Sequence, residues 1–295
     1  MRYGVALTPE AFDGVSIERF MAMVPEAGGV LSWAGEGTQL DANHSTAVRV
    51  LDISKRRAWT PVIITGAKTS ILENEKSRQA LGDKLVDFAR REKPPYLGIG
   101  NEINFSYRDA QTLDLMVTFF DDVARRVKET SPATRVFPVF QLEWMKGYRG
   151  GLLSNTSAMA KSEWELVSRF TRADFIAFTS YPSLVFKHPG DIPDQYYSSI
   201  MEHVSKPIAF TEIGWFRQAP NVDGWESTPD EQARYIERIP SLMESLQPVF
   251  VIWPFVFDQR IGPPLEYMGF MSPASSTSPG WEAWKEMVKP TLDNL

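Results

Sequence analysis

The sequence contains no cysteine and only three histidines among its 295 residues. The absence of cysteine excludes disulfide bonds, cysteine-ligated zinc and thiol nucleophiles, and it fits a reducing or an oxidising compartment equally well. The histidines, His44, His188 and His203, are scattered along the chain, which argues against a histidine-based metal site. We therefore expect neither a metal nor another cofactor.

Long apolar runs and basic clusters are also missing. Hydrophobic residues make up 43% of the chain and charged residues 23%, but no apolar run approaches the ~20 residues that a membrane helix needs. The formal charge is -6, without the clustered Lys and Arg typical of a nucleic-acid-binding surface. We expect a soluble globular protein, a monomer, that binds neither nucleic acid nor a membrane.

No signal peptide precedes the first predicted strand, which starts at Arg2 without a charged segment and an apolar segment before it. The chain as written is therefore expected in the cytoplasm. If a leader has been removed, an extracellular or periplasmic location is expected instead. The sequence also has no GxSxG elbow and no P-loop, so it gives no support to a serine hydrolase or a nucleotide enzyme.

The sequence does contain a regular alternation of apolar runs and stretches with helical periodicity. The apolar runs predict eight strands, at residues 3-8, 28-33, 61-65, 96-101, 135-140, 174-180, 207-212 and 249-253. The periodic stretches predict a helix after each strand, at residues 15-25, 43-57, 73-92, 108-130, 161-171, 192-204, 229-246 and 279-288. The element order is therefore strand, helix, strand, helix throughout.

Runs such as VIIT and FIAFT are apolar on both faces, as expected for parallel strands covered by helices. Alternating elements leave two main topologies, an open doubly wound sheet and a closed barrel. An open sheet would carry a Gly-rich phosphate turn after an early strand, but GIGNEI lacks the third glycine and follows the fourth strand. Eight repeats favour closure, so we predict a single (β/α)8 (TIM) barrel domain over residues 1-295.

Two glutamates stand at the ends of apolar strands. Glu102, after Asn101 in YLGIGNEIN, ends the fourth strand, and Glu212 in PIAFTEIGW ends the seventh. The active site of such a barrel lies at the carboxyl ends of its strands. Two facing carboxylates about 5 Å apart are what a retaining glycosidase needs. The alternative for either glutamate is that it caps a helix or pairs with Arg or Lys at the barrel mouth.

Further candidates for substrate binding lie near other strand ends. Four are aromatic: Trp33, Tyr181, Trp215 and Trp253. Aromatic faces can stack on sugar rings, although tryptophan is also ordinary core material. Glu143, just after the fifth strand, could line the cleft, and a salt bridge with Lys146 or an arginine is the alternative. Loops 142-160 and 214-227 are long enough to shape a substrate site.

These motifs resemble a known group of enzymes. Asn101-Glu102 after strand four and Thr211-Glu212 after strand seven are similar to the clan of (β/α)8 retaining glycoside hydrolases. Three further features most resemble the arabinogalactan endo-β-1,4-galactanase family. They are Ser180-Tyr181-Pro182, Trp253 and the TPDEQARYI opening of the seventh helix. The resemblance implies a retaining β-glycoside hydrolase that cleaves an oligo- or polysaccharide by double displacement.

The resemblance also implies a role for each site residue. Glu102 would be the acid/base, Glu212 the nucleophile, Asn101 a donor to the sugar 2-hydroxyl, and Trp253 the floor of the site. An acid must hold its proton near neutral pH, so apolar surroundings or a nearby negative charge should raise the pKa of Glu102. Glu212 must stay ionised, and a hydrogen bond from the Tyr181 hydroxyl would favour its charge.

The chain departs from the resemblance at two strand ends. The clan commonly carries an arginine at the end of strand two, whereas LSWAGEG places Trp33 and Glu36 there. Strand three ends in IITGAK, where many relatives place a histidine. A catalytically inactive barrel that binds carbohydrate is therefore the alternative function. The sequence does not choose among galactan, mannan, glucan and xylan, or between endo and exo cleavage.

Overall fold

A computed structural model describes residues 1–40, 45–153, 159–218, 225–262, 265–273 and 275–292. His44, which was expected on a helix, lies outside the described residues. Loops 142-160 and 214-227, expected to shape the substrate site, lie partly outside them.

The strands form one sheet in which all pairs are parallel. They are β1 (Tyr3–Ala6), β2 (Val30–Glu36), β3 (Thr60–Gly66), β4 (Tyr96–Ile99), β5 (Arg135–Phe137), β6 (Val139–Gln141), β7 (Ile176–Ser180), β8 (Ile208–Ile213) and β9 (Val251–Trp253). Their order in the sheet is β5-β4-β3-β2-β1-β9-β8-β7-β6. All eight predicted strands are therefore present, with the fifth one divided into β5 and β6.

The division of the fifth strand falls at Pro138, which has no backbone N–H to donate. β5 pairs with β4, and β6 pairs with β7. Backbone hydrogen bonds continue on both sides of the break, because Val139 N donates to Gly100 O at 3.2 Å and Asp174 N donates to Val136 O at 2.8 Å. One interrupted strand thus joins the two ends of the sheet, and the prediction of a (β/α)8 barrel is confirmed.

The helices mostly follow the predicted order. They are α1 (Gly14–Met23), α2 (Thr46–Arg57), α3 (Thr69–Glu73), α4 (Glu75–Glu92), α5 (Ile103–Ser106), α6 (Ala110–Thr130), α7 (Leu142–Met145), α8 (Pro229–Met243) and α9 (Pro279–Leu292). In the part of the chain that the structure describes, no helix combines the length and apolarity that a membrane span requires.

Two predicted α-helices, at 161-171 and 192-204, are wrong. The chain forms only short 3-10 helices there, Trp164–Arg169 and Ser198–Glu202. The first buries the adjacent residues Leu166 and Val167, and the second buries only Ile200. Neither pattern gives the apolar stripe at spacings of three and four that holds an α-helix against a sheet.

Two apolar layers form the core, and strand alternation assigns side chains between them. The barrel interior includes Ile252 and Ala209. The layer between the sheet and the surrounding helices includes Val251, Trp253 and Phe210. A residue at a strand end therefore faces the barrel mouth in one of two cases. Either it lies an even number of residues from an inward-facing residue of the same strand, or a local irregularity turns it inward.

Candidate active site

Glu102 follows β4 at a tight turn. Gly100 has φ 87°, and Glu102 itself adopts a left-handed conformation with φ 48° and ψ 49°. A non-glycine residue with positive φ is uncommon and persists where its surroundings hold it. The Glu102 carbonyl accepts from Ser106 N at 2.7 Å, which starts α5. Its half-buried carboxylate accepts from Thr179 Oγ1 at 2.6 Å. The turn thus directs Glu102 across the mouth toward β7.

Glu212 reaches the mouth through a register irregularity between β7 and β8. Phe178 pairs with Phe210, but the next residue, Thr179, pairs with Glu212 and not with Thr211. Strict alternation would place Glu212 on the outward face with Phe210. The irregularity places it beside Thr179, where its carboxylate is half-buried and accepts from the Tyr181 hydroxyl. The expected Tyr181–Glu212 hydrogen bond is present.

Both glutamates lie beside Thr179. This residue pairs with Glu212 in the sheet and donates its hydroxyl to Glu102. Burial raises the pKa of Glu102, as does the charge of Glu143, and the Thr179 hydrogen bond opposes both. Burial and the charge of Glu102 raise the pKa of Glu212 to about 7, against the Tyr181 hydrogen bond. Both carboxyls therefore have raised pKa values, and ionisation of Glu102 makes ionisation of Glu212 less favourable.

Asn101 directly precedes Glu102 in the chain. It is half-buried, and its Oδ1 is buried without a hydrogen-bond partner among the described residues. Asn101 lines a cavity of about 360 Å³ whose walls are mostly small, including Gly35 and Gly66. A buried amide oxygen without a partner is uncommon, so Asn101 Oδ1 has hydrogen-bonding capacity that the described residues do not use.

The ends of β2 and β3 carry an ion pair where the clan commonly has arginine and histidine. Lys68 Nζ lies 3.1 Å from Glu36 Oε1 at the rim of the same cavity. Both side chains are largely exposed, at 64% and 42%. The pair presents donors and acceptors side by side without net charge, which suits neutral sugar hydroxyls better than an anion.

The opposite side of the mouth is filled by an apolar mouth cluster. Its members are Leu152, Leu153, Tyr181, Leu184, Phe216, Trp225, Phe255, Leu265 and Met268. They lie on the loops that follow β6, β7, β8 and β9. Trp225 Nε1 donates to Ser183 O at 2.7 Å, which ties two of these loops together. This side of the mouth is therefore closed by packing.

The three tryptophans predicted to bind substrate lie on the other face of the sheet. Trp253 is fully buried and stacks on Phe270, with ring centroids 4.6 Å apart. Trp215 is also buried, and it packs against Tyr235 of α8. Trp33 is half-buried against the layer between sheet and helices. Strand alternation turns Trp33 and Trp253 outward, and Trp215, just beyond β8, packs in the same outer layer. The expectation that these side chains contact substrate is therefore corrected.

Glu143 is likewise not a cleft residue, because its side chain is fully buried. It accepts hydrogen bonds from Ser180 Oγ at 2.7 Å and from Tyr196 OH at 2.7 Å. The alternative, a salt bridge with Lys146, is not formed: Lys146 Nζ donates to Ser199 Oγ at 2.7 Å. Burial lowers the pKa of Lys146 to about 8, although the charge of Glu143 acts in the opposite direction.

Two residues that hold the site were missed, Thr179 and Ser180. Both are fully buried at the end of β7. Counting alternate positions from Ala177, which lies inside the barrel, would have turned Thr179 inward and Ser180 outward. The Thr179 hydroxyl donates to Glu102, and the Ser180 hydroxyl donates to Glu143 behind the pair. Among the described residues, no group of three or more His, Asp or Glu side chains is arranged to hold a metal ion.

Sequence comparison does not identify a family, since no protein-family profile and no curated protein matches the chain. Solved structures do match. An exo-β-1,4-mannosidase from Opitutaceae bacterium strain TAV5 is 11% identical with a TM-score of 0.66, over 99% of this chain and 59% of that one. A β-galactosidase from Marinomonas ef1 is 12% identical with a TM-score of 0.67, over 99% and 59%.

A fungal β-1,4-galactanase structure matches closer to its full length. It is 12% identical with a TM-score of 0.61, over 92% of this chain and 90% of that one. The chain spans about three fifths of the mannosidase and of the β-galactosidase. At these identities the likeness is one of fold, and the chain shares its (β/α)8 barrel with glycoside hydrolases of several families.

Proposed function

We propose that this chain is a retaining β-glycoside hydrolase acting on an oligo- or polysaccharide. One observation carries the proposal: Glu102 and Glu212 both lie beside Thr179 at the carboxyl ends of the strands, half-buried, and the charge of Glu102 helps to raise the pKa of Glu212. A pair of carboxylates sharing one proton supplies an acid and a nucleophile at the same time. Neighbouring structures named as mannosidase, galactosidase and galactanase support the same chemistry on this fold.

In the first half of the proposed reaction, Glu102 gives its proton to the glycosidic oxygen as the bond from that oxygen to the anomeric carbon breaks. A carboxylate oxygen of Glu212 forms a new bond to the anomeric carbon from the opposite face. The leaving sugar departs as an alcohol, and the glycosyl unit stays on Glu212 as an ester. Asn101, beside Glu102, is the residue that would bond to the 2-hydroxyl.

In the second half, water enters where the leaving group was. Glu102, now ionised, takes a proton from that water as its oxygen bonds to the anomeric carbon. The bond to Glu212 breaks, and Glu212 leaves as a carboxylate. Two inversions give net retention, and both glutamates return to their starting protonation states.

The Tyr181 hydroxyl supports the assignment of Glu212 as nucleophile, because it stabilises the ionised form. The charge of Glu143 supports the assignment of Glu102 as acid, because it raises the pKa of Glu102 beyond the effect of burial. The pKa of about 7 for Glu212 acts against its role. In a coupled pair, however, the proton resides on whichever carboxylate is stabilised in the neutral form by the bound substrate.

Covalent labelling tests the assignment. A 2-deoxy-2-fluoro glycoside of a sugar that the enzyme cleaves should label Glu212, as identified by peptide mapping with mass spectrometry. Glu212→Gln should abolish both labelling and turnover. Glu231→Gln is the matched control, because Glu231 is a buried glutamate of α8 that pairs with His188 at 2.7 Å. Labelling of another residue would overturn the assignment.

The ion pair Glu36–Lys68 at the position of the clan's arginine favours a second candidate, a barrel that binds carbohydrate without cleaving it. A panel of galactan, mannan, glucan and xylan, assayed for both reducing ends and binding, separates the two candidates. Release of reducing ends that depends on Glu212 supports the hydrolase. Binding without cleavage of any polymer or aryl β-glycoside supports the inactive barrel.

A further inference from the structure

The end of β7 carries three hydroxyls in a row, and each donates to a different glutamate. Thr179 donates to Glu102 at 2.6 Å, and Tyr181 donates to Glu212. Ser180, between them, donates to Glu143 Oε1 at 2.7 Å. Because neighbouring strand residues point to opposite faces, Ser180 and Glu143 lie behind the wall on which the active pair stands.

The buried carboxylate of Glu143 accepts several hydrogen bonds. Besides Ser180, it accepts from Tyr196 OH at 2.7 Å and from Gln141 Nε2 at 2.5 Å. Tyr197 OH lies 3.1 Å from Ser180 Oγ and extends this network. A buried carboxylate without such donors would be costly, so this side chain is part of a built polar network.

The network also reaches the turn that carries Glu102. Asn104, in α5, exchanges two hydrogen bonds with the backbone of Gln141, at 3.0 and 2.8 Å. The Gln141 side chain in turn donates to Glu143 and accepts from Trp144 N at 2.6 Å. A continuous chain of contacts therefore runs from the turn after β4, through Gln141 and Glu143, to the end of β7.

We propose that Glu143 is a positioning residue of the glutamate pair: through Ser180 and Gln141 it fixes the two segments that direct Glu102 and the hydroxyls of Thr179 and Tyr181. The inference rests on the proposed function of that pair. Glu143 touches no substrate in this account. It acts through its neighbours, by geometry and, in its ionised form, by the negative charge that it places behind Glu102. Burial raises the pKa of Glu143 itself, and the hydrogen bonds from Tyr196 and Ser180 oppose that rise.

The charge effect is measurable apart from geometry. The titratable groups that interact with Glu143 are Glu102, Lys146, Tyr148, Tyr181, Tyr196, Tyr197 and Tyr235. The tyrosines stay neutral over the working range, because burial raises the pKa of each. Removing the charge at Glu143 should therefore lower the pKa of Glu102. Lys146 also changes charge near pH 8, and a Lys146→Met background separates its contribution.

The experiment combines carboxylate titration with kinetics. NMR of protein with 13C-labelled glutamate carboxylates should show a downward shift in the Glu102 titration in Glu143→Gln, and no shift in the control Glu231→Gln. The basic limb of the kcat profile should move to lower pH. In Ser180→Ala, which keeps the charge and removes only one hydroxyl, kcat should fall by about tenfold or more with little change in KM.

An unchanged Glu102 titration in Glu143→Gln would overturn the inference. If that variant fails to fold, Ser180→Ala decides: a wild-type kcat in the Ser180→Ala protein would overturn the inference as well. A wild-type protein that cleaves no glycoside would refute the proposed function instead. The NMR titration would then still test Glu143 on its own.

Discussion

The two halves of the barrel mouth are built differently. The half over β2 to β4 is walled mainly by small residues such as Gly35, Ala67 and Gly66, and it encloses a cavity of about 360 Å³. The half over β6 to β9 is packed with the mouth cluster and carries the hydroxyls of Thr179 and Tyr181. The packed half supplies the hydroxyls that hold Glu102 and Glu212, and the open half leaves room for a ligand.

This difference follows from what each task requires. Catalytic groups must be held in one geometry, and close packing with buried hydrogen bonds supplies that restraint. A substrate site needs accessible polar groups, and the exposed Glu36–Lys68 pair supplies them. We therefore expect changes in the packed half to reduce kcat and changes in the open half to act mainly on KM.

The largest expected effect comes from Glu102. Glu102→Ala should lower kcat by about 10²- to 10⁴-fold for natural substrates, because protonation of the leaving oxygen is lost. Aryl glycosides with acidic phenols as leaving groups need no such proton and should be affected less. Azide should restore turnover and give a glycosyl azide of retained configuration. Glu36→Ala is the control from the open half, and an equal loss on both substrate types would argue against an acid/base role.

The next effect is expected at Tyr181, in the packed half. Tyr181→Phe removes the hydroxyl that donates to Glu212 and should lower kcat by about tenfold to a hundredfold. That hydrogen bond lowers the pKa of Glu212, so its loss should also move the basic limb of the pH profile upward. The matched control is Tyr107→Phe, whose hydroxyl donates to Ala67 O in the open half. Equal effects of the two variants would remove the contrast between the halves.

The pH dependence of the wild type sharpens the same contrast. Activity requires one proton on the pair, so it should fall as pH rises through about 7, where the pair loses that proton. It should fall again at low pH, where the second carboxylate becomes protonated. A bell-shaped kcat profile measured in buffers of constant ionic strength is the check. Full activity retained well above pH 7 would mean that no proton is needed on this pair.

The smallest effect is expected at the exposed ion pair of the open half. Lys68→Met or Glu36→Gln should change stability by no more than about 1 kcal/mol, because exposed pairs contribute little. Each should raise KM for oligosaccharides more than it lowers kcat. Chemical denaturation and initial-rate kinetics measure the two quantities. A large loss of kcat with unchanged KM would place the ion pair with the catalytic groups instead.

The sequence was sufficient to predict the barrel. Buried parallel strands appear in the sequence as apolar runs, and the length of these runs and their alternation with helices identify the fold. The sequence also pointed to Glu102 and Glu212 as candidates, since a carboxylate is rare beside such runs; the structure places both beside Thr179, and their catalytic roles stay predictions. The sequence did not predict which way the neighbouring side chains turn. The irregularity between Phe178 and Thr179 depends on strand pairing, and no local pattern records it.

The tryptophan predictions failed for the same reason. Trp253 follows Ile252, and only the knowledge that Ile252 lies inside the barrel turns Trp253 outward. The two wrong helices, at 161-171 and 192-204, show that an expected element order can override a weak periodic signal. The predicted single domain, the monomeric state and the compartment of the protein stay predictions.

The stereochemistry of the first product tests the central claim most directly. Proton NMR of a freshly started reaction on a β-linked substrate resolves the anomeric signal before mutarotation mixes the forms. Glu102 and Glu212 acting by double displacement predict that the β-anomer appears first. An α-anomer appearing first would contradict the account, because a single inversion cannot pass through an ester on Glu212.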